Sequence, residues 1–174
     1  MVVKYILERQ CTMKYNREEL VKIIAKHEGM VLEPYRDSLG ISTIGIGRNL
    51  EDRSISDGEL MHMNKTLEDV VNNGLTEEEA YYLCNNDIMI VEKELVARKP
   101  LVLQLDDKRQ MCLVDMGFNM GVPRLMKFVN MWEAIDKADF QWASEEMLDS
   151  RWAKQVGRRA THLSEVMRTG EWND

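Results

Sequence analysis

Cysteine is scarce in this chain, and the little there is carries no pattern. Cys11, Cys84 and Cys112 are widely spaced and have no metal-ligand spacing around them, so at most one pair could close and reduced thiols are expected. Long apolar runs are lacking as well. Nothing approaches the ~20 residues needed to cross a bilayer, and charge at Lys4 and Glu8 breaks the segment 1–10 too early for a secretory signal. The expectation is a soluble protein made in a cytoplasm, without membrane insertion. Net positive charge is missing too. A formal charge of −7 argues against a nucleic-acid binder, which needs a basic face to neutralise phosphates. The one basic concentration, Arg151, Lys154, Arg158, Arg159 and Arg168, is either a solvated helix face or a surface turned to an acidic substrate. Internal repeats and low-complexity tracts are absent.

What is present suffices for one domain, in two lobes at most: 174 residues, of which 44% are hydrophobic and 30% charged. Residues 17–28 carry Leu20, Ile23, Ile24 and His27 at helical spacing, after Asn16 with Glu19 three positions on, the signature of a capped helix start. Gly29 suits a left-handed C-terminal cap, so the helix ends at Glu28. Glu28 continues the Leu20, Ile24 stripe and should turn toward the protein body. Partial burial there suits a proton donor, because desolvation favours the neutral acid. The bland alternative is a surface glutamate at a frayed helix end.

From Val31 to Gly47 the pattern changes to short extended segments punctuated by Pro34 and Gly40, with Ile41, Thr43, Ile44 and Ile46 supplying β-branched residues. A small antiparallel sheet is expected. Asp37-Ser38-Leu39-Gly40 reads as a type I turn that puts Asp37 at a hairpin rim and returns the chain through Thr43. Taken alone, such an Asp is a turn-former. Gly45-Ile46-Gly47 matches no phosphate-binding spacing and reads as a close approach at a strand end. Two carboxyls, Glu28 and Asp37, thus flank a helix-to-strand junction. Glycosidic cleavage needs such a pair, one to protonate the leaving oxygen and one, ionised, to handle charge or water at the sugar carbon.

Beyond Asn49 the chain reads as helices. One is expected from Ser56 through Val71, closed by Asn73-Gly74. Thr76-Glu77-Glu78-Glu79 is a capping box opening a long helix, with Ala80, Leu83, Cys84, Asp87, Ile88, Val91 and Leu95 on one stripe and Lys99-Pro100 as its stop. Asp106 or Asp107 starts another helix, ending around Gly117 to Gly121, and segments near 124–136, 139–149 and 160–169 complete the set. Trp132, Trp142 and Trp152 fall on different helix faces and read, with the thirteen methionines, as core filling.

The run from Glu28-Gly29 through Asp37 to Thr43-Ile44-Gly45-Ile46-Gly47 resembles the catalytic stretch of the T-even phage-type lysozymes, a glycoside hydrolase family. Gly117-Phe118-Asn119-Met120-Gly121, Ser150-Arg151-Trp152, Gln155, Arg159-Ala160 and Met167-Arg168-Thr169-Gly170-Glu171-Trp172 resemble it too, in the same order. The resemblance covers residues 17–174 and leaves 1–16 as an extension. It implies a mostly α, α+β lysozyme-like fold: a small lobe over 29–75 with a β-hairpin sheet, a connecting helix over 76–97, and a helical lobe over 98–174 with the helix 17–28 packed on it. It implies Glu28 as general acid, Asp37 as the carboxylate assisting the attacking water, and Thr43 as the hydroxyl holding that water. Phe118, Asn119, Gly47 and Asn49 fall at substrate-contacting positions, and Arg159 where an arginine supports the glutamate.

Departures from the family pattern are Arg48, where histidine is common, Asn49 in place of an aliphatic, and Met131 and Glu146 where small or amide side chains meet the sugar. These bear on subsite preference, not on catalysis. The implied activity is inverting hydrolysis of peptidoglycan glycan strands without metal or cofactor, by a monomeric endolysin. It would pass from the host cytoplasm to the cell wall once a separate holin-type protein permeabilises the membrane. The rivals are a non-catalytic wall-binding or virion structural module, and a lytic transglycosylase, which needs no partner aspartate.

Overall fold

The computed structural model describes residues 13–173, so Cys11 and most of the N-terminal extension lie outside the described residues. Helix α1 (Arg17–Glu28) leads into a three-stranded antiparallel sheet, β1 (Val31–Arg36), β2 (Ser42–Gly45) and β3 (Arg48–Asn49), in sequential order. Then come α2 (Asp57–Met63), α3 (Leu67–Asn73), α4 (Glu77–Arg98), a 3₁₀ turn at Pro100–Gln104, and α5 (Asp107–Met120). The chain closes with α6 (Val122–Leu125), α7 (Val129–Asp136), α8 (Phe140–Leu148), α9 (Arg151–Val156) and α10 (Arg158–Thr169). The class is α+β and mostly α, as expected. Among the described residues no helix is long and apolar enough to cross a membrane.

Two compact units divide the chain, one running Arg17–Met89 and the other taking in Ile90 onward with the residues just before Arg17. The boundary falls inside α4, the 22-residue helix opened by the Thr76 capping box: Thr76 N donates to Glu79 Oε2 at 2.7 Å and Glu79 N to Thr76 Oγ1 at 3.2 Å. Local chemistry sets the other ends as well. Gly29 caps α1 at φ +79°, its N–H reaching Ala25 O at 3.0 Å. Asp106 caps α5 through Arg109 N at 2.9 Å.

The single helix expected from Ser56 to Val71 is two helices. Asn64 takes the left-handed conformation at φ 51° and ends α2, and Thr66 with Asp69 forms a second capping box that opens α3. Likewise the span 124–136 breaks at Phe128, and Ser150 caps a short α9 that the periodicity did not suggest.

In the first unit Ile44, Ile55, Val70, Leu75, Ala80 and Leu83 form the core, with Leu32 and Leu50 packed against it. In the second, α5 is the hub. Every residue from Gln110 to Gly117 is buried, the mark of a helix enclosed on all sides. Trp132 and Trp152 fill that unit's core as expected, Trp132 donating its indole N–H to Leu125 O at 3.0 Å, whereas Trp142 is half-buried. Cys84 and Cys112 are buried free thiols, one in each unit.

Candidate active site

The hairpin β1–β2 is built around Asp37. Its backbone closes the turn, Gly40 N donating to Asp37 O at 2.9 Å and Asp37 N to Ile41 O at 3.0 Å. Its Oδ1 accepts the amides of Leu39 at 2.8 Å and Ile41 at 2.9 Å. Asp37 is therefore the turn-former that its spacing suggests. The same bonds hold the carboxylate rigid while Oδ2 takes no hydrogen bond from any described residue. Shaping the turn and offering a free oxygen are compatible.

Thr43 pairs with Tyr35 across β1–β2 and with Asn49 across β2–β3, so Tyr35, Thr43 and Asn49 stand on one face of the sheet, and Asp37 follows Tyr35 at the same two-residue phase. The β1–β2 register shifts between Val31 and Tyr35, where Pro34 has no N–H to give the ladder. Thr43 is buried and donates its hydroxyl to Ile41 O at 3.1 Å, so toward a water its Oγ1 is an acceptor.

Glu28 ends α1 half-buried. Gly47, at φ +70°, lies against it: a Cβ added there would sit 3.7 Å from Cβ, Cγ and Oε2 of Glu28. Burial first, and then the charges of Asp37 and Glu28, push the Tyr35 phenol above its usual range. The sequence reading missed Tyr35, although its place two residues before Asp37 on the same strand was the available signal.

Asn49 is engaged locally. Its Oδ1 accepts Glu51 N at 2.8 Å and Asp52 N at 3.0 Å, and its Nδ2 donates to Asp52 Oδ2 at 3.0 Å. Arg48 is only 3% exposed and Met131 wholly buried, so the side chains at these two departures, expected to bear on subsite preference, belong to the interior. Arg48 sits in an ion network with Glu59, Asp87 and Arg53, which the sequence reading also missed. Glu59 is held down to about 2; burial opposes the shift, and hydrogen bonds from Arg48, Ser56 and Asn86 overcome it. The signal was Asp87, a carboxylate on the inward stripe of α4.

The remaining candidates lie in the second unit. Arg159 donates from Nε to Oδ1 of the fully buried Asp115 at 2.8 Å. Phe118 is half-buried at the end of α5, and Asn119 Oδ1 accepts the Trp152 indole N–H at 2.9 Å. Glu146 is half-buried and accepts from Trp142 Nε1 at 3.0 Å and Asn130 Nδ2 at 3.1 Å. The basic concentration is smaller than the sequence suggested. Arg159 is half-buried on Asp115 and Arg168, though exposed, pairs with Glu165, leaving Arg151, Lys154 and Arg158 as the other exposed cations. No group of three His, Cys, Asp or Glu among the described residues is placed to hold a metal ion.

Comparison with known proteins adds to this geometry. The chain is 29% identical over 159 residues to probable T4-type lysozyme 1 of Dictyostelium discoideum, an overlap covering 84% of this chain and 91% of that protein. Probable T4-type lysozyme 2 of the same organism is 29% identical over 154 residues, or 82% and 89% of the two chains. The pre-baseplate central spike protein Gp5 of Enterobacteria phage T4 is also 29% identical, over 161 residues that cover 87% of this chain but 28% of the spike protein. A phage lysozyme family model matches residues 25–168, most of the chain, and the protein belongs to that family.

Proposed function

We propose that this protein is a muramidase that hydrolyses the β-1,4 bond between N-acetylmuramic acid and N-acetylglucosamine in peptidoglycan, with inversion at the anomeric carbon. The observation that carries the reading is the hairpin: Asp37 is held by its turn while Oδ2 takes no hydrogen bond from any described residue, and in the same unit Gly47 lies close beside Glu28. Family membership supports the same reaction class.

Glu28 gives its proton to the bridging oxygen as the glycosidic C–O bond breaks, and the departing sugar leaves as an alcohol. Positive charge growing on the anomeric carbon is countered by Asp37. The Thr43 hydroxyl proton is already committed to Ile41 O, so a water between Asp37 and Thr43 donates to both and turns a lone pair toward the sugar. Its oxygen bonds to carbon and its proton passes to Asp37, for a net addition of one water. Phe118, Asn119, Gly47 and Asn49 are the proposed sugar-contacting positions, and Arg159 a support.

In this reading the protein acts as a monomeric endolysin, made in the host cytoplasm and reaching the wall after a separate holin-type protein permeabilises the membrane. The similarity to a phage spike protein favours a second setting, a wall-cutting module carried on a virion. Loss of turbidity in a peptidoglycan suspension, abolished by Glu28→Gln at unchanged melting temperature, tests the enzyme; retained lysis in that variant would refute it. Proton NMR of the first anomer released tests inversion, and a 1,6-anhydro end found by mass spectrometry would make the protein a transglycosylase instead.

A further inference from the structure

We infer that Arg48 is a positioning residue for Glu28, acting through Gly47; the inference rests on the proposed glycosidase reading. The Gly47 backbone lies close beside the Glu28 side chain: a Cβ added there would sit 3.7 Å from Cβ, Cγ and Oε2 of Glu28. That backbone is only as well placed as the next residue. β3 has two residues and two partners on β2, so the sheet ladder alone defines its position weakly.

The Arg48 side chain supplies what the ladder lacks. It is 2% exposed and spends four N–H groups on fixed acceptors. Nε reaches Asp87 Oδ2 at 2.7 Å, Nη1 reaches Glu59 Oε2 at 3.2 Å, and Nη2 reaches Glu59 Oε1 at 2.9 Å and the Leu83 carbonyl at 3.1 Å. The acceptors are themselves held. Glu59 takes Ser56 N and Oγ, both at 2.9 Å, and Asn86 Nδ2 at 3.1 Å. Arg53 pairs with Asp87 and approaches Glu59 at 3.5 Å, so two cations and two anions balance inside the unit.

Stability is a weak reason for such a cluster, because apolar side chains of equal volume serve as well or better in a core. Geometry is the stronger one. A planar fork bound at both ends defines direction and distance, whereas an apolar contact lets the backbone slide. Displacement of a catalytic group by about 1 Å can cost on the order of a hundredfold in rate. Arg48 thereby pins β3 to α2 and α4, and through Gly47 restricts where the Glu28 carboxyl can point.

The test compares wild type, Arg48→Lys, and the double variant Arg48→Met with Glu59→Gln, which removes one charge of each sign and leaves Arg53 paired with Asp87. Turnover on peptidoglycan, melting temperature, the Glu28 carboxyl ¹³C resonance and the Gly47 amide resonance are measured for each. The inference expects kcat to fall roughly tenfold in both variants with KM within about twofold, a fraction of the full misplacement cost. It expects kcat to stay low even where the double variant melts like wild type, and both resonances to move. Unchanged kcat in a folded variant overturns it, as does kcat that recovers along with melting temperature. An inactive wild type would sink the glycosidase reading instead; the two resonances then decide, moving if Arg48 positions Glu28 and staying still if it does not.

Discussion

The two units bury different things. The one ending at Met89 encloses Arg48 and Glu59, with Asp87 and Arg53 at its margin, and holds Asp37 by hydrogen bonds from its own turn. The one beginning at Ile90 buries an apolar hub around α5, with Asp115 and Arg159 as its inward ion pair. Hydrogen-bonded charges specify direction, and packed methylenes supply stability. The candidate chemistry sits in the unit that has invested in direction, and that unit is the one whose function should be easiest to damage without unfolding it.

The sharpest way to break this contrast is Glu28→Gln. Loss of a general acid should lower kcat by roughly 10² to 10⁴-fold with little change in melting, read by lysis and calorimetry. Asp37→Asn should also abolish most turnover while keeping the turn, because the amide oxygen still accepts the Leu39 and Ile41 amides. In the helical unit the pattern should reverse. Leu113→Ala, at a fully buried site, should cost about 2–5 kcal/mol in urea unfolding with kcat per folded molecule preserved.

Acid should weaken the Glu59 cluster next. Glu59 titrates near 2 in the folded chain against 4.5 when free, so the unfolded state binds its proton first as pH falls. The stability it contributes is complete above about 4.5, declines as pH falls, and is gone below about 2. Melting temperature measured across that window should fall, and Glu59→Gln should flatten the fall. The smallest effect is expected at Asn49. Asn49→Ala should cost about 1 kcal/mol through the lost cap on the 49–52 turn and raise KM modestly, and an unchanged KM would remove Asn49 from the sugar-contacting positions.

Local signals were legible where one residue acts on its near neighbours. Gly29 at the end of α1, Thr76 with Glu79, and the Asp37 to Gly40 turn all appear where side chain and spacing place them. The break at Asn64 was overlooked although Thr66-Leu67-Glu68-Asp69 spells the second capping box, because the apolar period runs on across it. The burial of Arg48 and Met131, read from the sequence only as departures bearing on subsite preference, was not legible because burial depends on partners distant in sequence. Arg48 meets its acceptors 11 to 39 residues away.

By itself, then, the order of residues determined the helix ends, the hairpin turn, the two acids at the helix-to-strand junction and the family. These follow from chemistry that acts within a few residues or from motifs that persist along the chain. Only the tertiary structure decided that Tyr35, Thr43 and Asn49 share a sheet face, that Gly47 lies close beside Glu28, and that Arg48 lies inside a balanced cluster. Each is a through-space relation between separate elements, and a charge's neighbours in space are set by packing that no local pattern records.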